Sequence, residues 1–291
     1  MNIVIHGIGF QKEFIPFIDQ LFQILKDRKI GFSLTESFYK SLKKIEFDTT
    51  GFHVLSKKPS FSGVDFIISV GGDGTLLDTV CLVGKSEIPI IGINTGRLGF
   101  LATVAKEDIE KAVNGFMKGS YAVESRSLLS LESDHVLFNG LNFGLNEFTI
   151  HKRDTSSMIT VHTYINGQYL NSYWADGLIV ATPTGSTGYS LSCGGPLISP
   201  GARNFVITPV SPHNLNVRPI VVSDESEISF EIEGRSEKFL ISLDSRSTAI
   251  DATIKLRVKK AEFSAKLVKF ADYNYFDTLR HKLNWGFDMR N

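Results

Sequence analysis

The 291-residue chain holds only two cysteines, Cys81 and Cys193. So few thiols exclude a disulfide framework and fit a reducing compartment. Neither sign of charge is in excess, with 31 basic residues against 31 acidic ones. That balance excludes the basic bias of a nucleic-acid binder, and no polybasic cluster marks a membrane surface. Long apolar runs are missing as well: Val64–Val70 is broken by Asp65 and Ser69 and is far too short to cross a bilayer. The opening MNIVIHGIGF has no positive region and no extended apolar stretch, so no secretory signal is expected. His6, His53, His135, His151, His162, His213 and His281 are scattered, without zinc-like spacing among themselves or with the cysteines. The expectation is a soluble cytoplasmic protein with neither nucleic-acid nor membrane partners. Any anion it handles must be gripped locally, by backbone amides or a few placed cations.

What is present points to two domains. Strand-like and helix-like segments alternate through residues 1–120. Asn2–His6 reads as a strand, and a helical pattern runs on to Lys29 through Phe14, Phe17, Ile18, Leu21, Phe22 and Leu25. Ser33–Phe47 offers a second helix, Val64–Val70 a strand, Thr75–Val83 a helix, Ile88–Ile93 a strand and Lys106–Lys118 an amphipathic helix. Such alternation predicts an α/β domain, Rossmann-like, with a parallel sheet covered on both faces. From Tyr121 the pattern changes to short alternating segments: Leu128–Glu132, Phe143–Ile150, Met158–Tyr164, Leu178–Ala181, Ile228–Glu233, Phe239–Leu243, Thr253–Val258 and Ala261–Lys266. Asn166–Gly167, between Thr160–Ile165 and Gln168–Tyr173, suits a type I′ hairpin turn. Residues 121–270 are therefore read as an all-β sandwich domain. Tyr275–Gly286, within the tail 271–291, reads as a helix returning to the first domain.

The most informative stretch of the first domain is Gly71-Gly72-Asp73-Gly74-Thr75, placed after a buried strand and opening a helix. Ligands of open α/β sheets bind where a strand ends and a turn leads into a helix. Glycines let backbone approach a phosphate, and the free amides of a helix start favour an anion. Asp73 stands in the middle of this turn. A carboxylate beside phosphate is repelled unless it has a task, such as taking a proton from an attacking hydroxyl or holding a bridging metal ion. The plainer reading is a tight turn in which Asp73, or equally Thr75, caps the helix. A second glycine turn, Gly92-Ile93-Asn94-Thr95-Gly96-Arg97-Leu98-Gly99-Phe100, follows the next strand, and Arg97 is either a phosphate partner or an ordinary surface cation. Gly7-Ile8-Gly9 lacks the third glycine of a dinucleotide fingerprint, and no P-loop pattern is present.

Taken together, these motifs resemble the NAD kinase family. Gly71-Gly72-Asp73-Gly74-Thr75 alone is shared with diacylglycerol-type lipid kinases and, more loosely, phosphofructokinases. The narrower marks are Gly92-Ile93-Asn94-x-Gly96-x-Leu98-Gly99-Phe100-Leu101, Leu145-Asn146-Glu147, and the long block Ala175-Asp176-Gly177 through Ser190-Leu191-Ser192. Gly194-Gly195-Pro196, Pro209-Val210-Ser211-Pro212-His213, Arg218-Pro219 and Leu279-Arg280-x-Lys282-Leu283-x-Trp285-Gly286 continue the likeness. The likeness is dense from Val64 to Val222 and looser elsewhere.

The resemblance implies phosphoryl transfer to the 2′-hydroxyl of the adenosine ribose of NAD, from ATP or polyphosphate, with a divalent metal such as magnesium. It implies homo-oligomers, dimers or tetramers, whose sites are completed by a neighbouring subunit. Asp73 would be the general base, with Gly72, Gly74 and Thr75 cradling phosphates and Asn94 in the second turn. Asn146 and Glu147 would hold the NAD ribose and pyrophosphate region. Asp176 would take the nicotinamide carboxamide, reaching in from a neighbour. Thr187, Gly188, Tyr189, Ser190, Leu191 and Ser192 would surround the adenine and its ribose. Trp174, His213 and Arg246 form a second tier. The chain departs from the family in having Gly188 where alanine is usual and Asp244-Ser245-Arg246 where Asp-Gly-Gln is often found. Two rivals remain: a lipid kinase, which leaves Asp176–Ser192 without a task, and a nucleotide-binding regulator without turnover, which leaves Asp73 without one.

Overall fold

The apolar strands of the first hundred residues find partners on both faces, in a computed structural model describing residues 1–9, 11–56, 61–96, 99–153, 157–270 and 273–286. Five of the six residues of β1 (Asn2–Gly7) are buried. Next, α1 (Ile15–Asp27) carries a proline in its first turn, where the missing N–H costs nothing. It buries Ile18, Leu21, Phe22, Ile24 and Leu25. A short strand the sequence pattern did not reveal, β2 (Gly31–Leu34), precedes α2 (Glu36–Lys44). Thr35 caps α2, its Oγ1 accepting from Phe38 N at 3.3 Å, so the helix is shorter than Ser33–Phe47. Then come β3 (Phe66–Val70), α3 (Asp73–Val83), β4 (Ile90–Asn94), the two-residue β5 (Val104–Ala105) and α4 (Ile109–Met117). All of β3 and β4 are buried, the signature of parallel strands covered on two sides.

The chain forms two compact units, Met1–Ser125 with Ala265–Asn291, and Arg126–Ser264. It passes from the first to the second inside β6 (Tyr121–Ser133). In the first unit the strands run parallel in the order β2-β1-β3-β4, with β5 beside β4. Phe22 gathers Phe32, Phe38, Phe47 and Phe52 around it.

The second unit contains β7 (Phe143–Gly144), β8 (Glu147–Lys152), β9 (Ile159–Ile165), β10 (Gln168–Ala175), β11 (Gly177–Ala181) and the single-turn α5 (Tyr189–Ser192). β12 (Asn204–Val210), β13 (Ile220–Ser223), β14 (Ile228–Glu233), β15 (Lys238–Leu243), β16 (Arg246–Asp251) and the start of β17 (Leu256–Phe270) complete it. One antiparallel sheet runs β13-β12-β11-β8-β15-β16, and the other places β10, β9 and β14 beside β17. Phe148, Ile150, Leu178 and Ile241 from the first sheet share a core with Val161, Phe230 and Val258 from the second. The β9–β10 hairpin turns through Asn166 and Gly167 at φ 50° and 75°, as the type I′ geometry requires. Of the expected strands Thr253–Val258 and Ala261–Lys266, residues 253–255 precede the strand, and the rest are parts of one, β17. The charged pair between them is accommodated along the strand, Lys259 on Glu132 and Lys260 on Asp224. β17 carries the chain back into the first unit, where Leu267 pairs with Ile90 of β4. There α6 (Tyr275–Leu283) is capped by Asn274, whose Oδ1 accepts from Phe276 N at 2.9 Å, and buries Thr278 and Leu279.

Candidate active site

In the first unit, β3 ends at Val70 and α3 begins at Asp73, with Gly72 as its N-cap and no side chain capping it. Neither Asp73 nor Thr75 is therefore the helix cap. The Asp73 carboxylate reaches instead to the segment after β4. It accepts from Phe100 N at 2.9 Å on Oδ2, and from Leu101 N at 3.1 Å and Ala102 N at 3.0 Å on Oδ1. A Cβ at Gly99 would collide with this carboxylate, so that glycine is required for close approach. Gly71 meets the Thr75 side chain in the same way.

Gly72 and Gly74 are different. A Cβ at either would meet nothing within 4 Å, and neither residue has positive φ. Protein packing thus gives no reason for glycine there, whereas free space above the start of an eleven-residue helix is what a phosphate needs. Asn94 is buried and shapes the second turn, accepting from Gly96 N at 2.7 Å. Arg97 and Leu98 lie outside the described residues.

In the second unit, Asn146 and Glu147 sit where β8 begins. Glu147 Oε2 and Asn146 Oδ1 are shut off from solvent and have no hydrogen-bond partner. A buried acceptor without a partner costs about 1–3 kcal/mol, and here two of them lie on consecutive residues. Burial, and then the nearby Asp244 charge, push the Glu147 carboxyl up to about 8. The loop before α5 is fastened to Asn146: Thr182 N donates to Asn146 O at 2.8 Å, and a Cβ at Gly185 would strike that carbonyl. Gly188 faces the orphaned carboxyl, since a Cβ there would lie 3.0 Å from Glu147 Oε2. Its glycine is thus a matter of space.

The other expected residues divide. Ser190 is buried and bonded to Thr208 Oγ1 at 2.8 Å, while Thr187 donates to Thr184 O at 3.2 Å. Leu191 is half-buried and Ser192 exposed. Tyr189 is exposed and stacks on His151, ring centroids 5.5 Å apart. Asp176 holds Lys152 at 2.6 Å and lies close enough to push the Tyr189 hydroxyl up, after burial and Cys193. Trp174 packs on His213 at 4.2 Å, its carbonyl accepting from His213 N at 2.9 Å. Arg246 donates to the carbonyls of Leu141 and Phe143, lying near the rings of Phe138 and Phe143. The sequence pattern gave no sign of His151 and Lys152 beside Asp176. Nor did it show that Asp244 accepts from Leu145 N, Asn146 N and Glu147 N at 2.8, 2.8 and 3.1 Å.

No group of three or more His, Cys, Asp or Glu side chains among the described residues is arranged to hold a metal ion. No helix of the described residues is long and apolar enough to cross a membrane.

A parallel α/β unit with an open glycine turn, joined in one chain to a β-sandwich with a pair of orphaned acceptors, describes a nucleotide-dependent phosphotransferase. Residues 3–121 match the family described as ATP-NAD kinase N-terminal domain, and residues 145–270 its C-terminal domain. The chain belongs to the NAD kinase family. It is 53% identical over 292 residues to the NAD kinase of Cytophaga hutchinsonii and 45% identical over 294 to that of Flavobacterium psychrophilum, with both chains fully covered in each case. Among solved structures, the NAD kinase from Archaeoglobus fulgidus in complex with ATP superposes with a TM-score of 0.77 at 28% identity, covering 98% of this chain and 99% of that one. The fold is also that of yeast NADH kinase complexed with NADH, with a TM-score of 0.86 at 20% identity, covering all of this chain and 89% of that one.

Proposed function

We propose that Asp73 is the general base of an ATP-dependent NAD kinase and that Asn146 and Glu147 hold the acceptor ribose. The observation that carries this reading is the pair of buried, unpartnered acceptors Asn146 Oδ1 and Glu147 Oε2. Such groups suit a ligand that donates and accepts through hydroxyls, as a ribose diol does.

The 2′-oxygen attacks the γ-phosphorus, the bond from that phosphorus to the β–γ bridging oxygen breaks, and ADP leaves. The hydroxyl proton passes to Asp73. A carboxylate offers about four acceptor positions. Three of them receive backbone amides, and the vacant one lies on Oδ2. The proton moves late, as bond formation acidifies the hydroxyl. The open amides at Gly74 and Thr75 receive phosphate oxygens. A divalent cation, magnesium foremost, enters with the donor as Mg·ATP, and polyphosphate is the other donor class. Asp176 and Tyr189 serve the nicotinamide and adenine ends, with Asp176 working across a homo-oligomer interface. Two free thiols support a cytoplasmic setting.

The test is a coupled assay of NADP formation from NAD and Mg·ATP, comparing wild type with Asp73→Asn. A positioned base contributes roughly 10²–10⁴-fold, so kcat should fall by that much with the KM for NAD little changed. A near-normal rate would remove Asp73 as the base.

A further inference from the structure

Asp244 lies 97 residues beyond Glu147 in sequence, yet its carboxylate collects the consecutive amides of Leu145, Asn146 and Glu147. The tie is returned, because Asp244 N donates to Glu147 O at 3.0 Å. Asp244 has φ of 51°, a left-handed conformation that aspartate and asparagine tolerate better than most residues. Close to it, a Cβ on Gly144 would lie 3.0 Å from Asp244 Oδ1. These contacts hold the segment Gly144–Glu147, which carries the two orphaned acceptors.

We infer that Asp244 is a positioning residue, which locks the Asn146–Glu147 pair and determines that Glu147 meets the acceptor as a hydrogen-bond donor. The inference rests on the reading of Asn146 and Glu147 as the NAD-binding pair. Asp244 takes hydrogen bonds on both oxygens and gives none, which is the pattern of an ionised carboxylate. Glu147 Oε2 receives nothing, and the proton shared by this close acidic pair therefore belongs on Glu147. Burial, followed by the Asp244 charge, acts in the same direction on Glu147. Burial raises the Asp244 carboxyl too, but there the amides of Leu145, Asn146 and Glu147 and the Arg246 charge pull the other way, and nothing among the described residues does so at Glu147.

The charged groups around Glu147 bear this out. From the β15–β16 turn come Asp244 and, beyond it, Arg246, whose guanidinium is directed to the Leu141 and Phe143 carbonyls. From the loop before α5, residues 182–190 bring no charged side chain, only Tyr189 as a titratable one. Arg126 on β6 ends on Thr184 Oγ1 at 3.3 Å, on that same loop. Nothing in this set offers Glu147 a cation. A neutral carboxyl suits a diphosphate-bearing substrate, because an anion in that place would repel the pyrophosphate, whereas the protonated form can donate to a ribose oxygen.

The experiment is the pH dependence of kcat and of the KM for NAD in wild type, Asp244→Asn and Glu147→Gln. In wild type, KM should rise about tenfold per pH unit above about pH 8 while kcat stays level, as Glu147 loses its proton. Glu147→Gln, a permanent donor, should lack this alkaline rise. Asp244→Asn fits the left-handed backbone but removes the neighbouring charge, so the rise should begin at lower pH, on top of a higher KM throughout. An alkaline rise unmoved by Asp244→Asn would overturn the inference while leaving the NAD-binding reading intact. A KM for NAD unaffected at any pH by Glu147→Gln or Glu147→Ala would overturn that reading instead. Should Asp244→Asn fail to fold, infrared difference spectra of wild type and Glu147→Gln decide. A protonated-carboxyl band at neutral pH that disappears in the variant supports the inference, and its absence from wild type sinks it.

Discussion

Acidification should loosen the first unit through one residue, His6. Its ring is 5% exposed at the end of β1, with Nδ1 3.1 Å from Thr35 Oγ1 and 3.3 Å from Ser37 Oγ. Nε2 is buried and has no partner. Among the described residues no carboxylate is bonded to either ring nitrogen to favour the charged form, and burial lowers the imidazole to about 4. The depressed value belongs to a base, so the unfolded chain binds the proton more readily than the folded one. Stability from this group is complete above the unfolded value of about 6.5, falls by about 1.4 kcal/mol per pH unit below it, and levels off near pH 4. Between about pH 7.5 and about pH 5 the loss amounts to about 2 kcal/mol. For a chain of this size that corresponds to roughly 3 °C in Tm. The assay is thermal unfolding by circular dichroism across this range for wild type and His6→Leu. The variant gives up the Thr35 contact, about 1 kcal/mol, at every pH. Its stability should nevertheless fall less steeply with acid, because His151 and the carboxylates titrate in both proteins and cancel in the difference. Parallel slopes would refute the reasoning.

Gly99→Ala should drive a methyl into the Asp73 carboxylate and displace the amides of residues 100–102. A misplacement of about 1 Å at a reacting group costs about a hundredfold, so kcat for NADP formation should fall on that scale, and an unchanged kcat would show that the clamp does not serve the chemistry. Asp176→Ala should release Lys152 and raise the KM for NAD roughly ten- to a hundredfold with a smaller effect on kcat. An unaltered KM would place nicotinamide recognition elsewhere.

What could be read in the sequence was whatever a short window encodes. β3 and β4 announced themselves as short, isoleucine- and valine-rich runs before glycine turns, and Asn166–Gly167 marked its hairpin. β2, β12, β13 and β16 did not. The two middle residues of β2 are only partly buried, and most of β13 and β16 faces solvent, so their apolar periodicity is weak. β17 read as two strands because Lys259 and Lys260 interrupt the pattern, although their partners lie far away on other strands. At the candidate site, glycine spacing pointed to the Asp73 turn, but local sequence could not say which glycines accommodate protein and which leave room. Gly99 against Asp73 and Gly188 against Glu147 are contacts across 26 and 41 residues. The clamp from Asp244 spans still more, and its Asp-Ser-Arg setting looks like any turn.

Where the chain changes units bears on how it is made. The crossings fall inside β6 and β17, and the second unit is one uninterrupted length, Arg126–Ser264. The first unit is not. Val268 belongs to its core and Leu279 is buried in α6, so a nascent chain that has emerged as far as Ser125 lacks the closing pieces of its own first unit. Synthesis runs from the N-terminus at roughly 5–20 residues per second. The α/β part must therefore wait about 7–30 seconds, the time for some 140 further residues, with the place beside β4 open. The inserted sandwich can complete itself during that interval. Order of emergence and order of completion are thus reversed: the half made first is finished last.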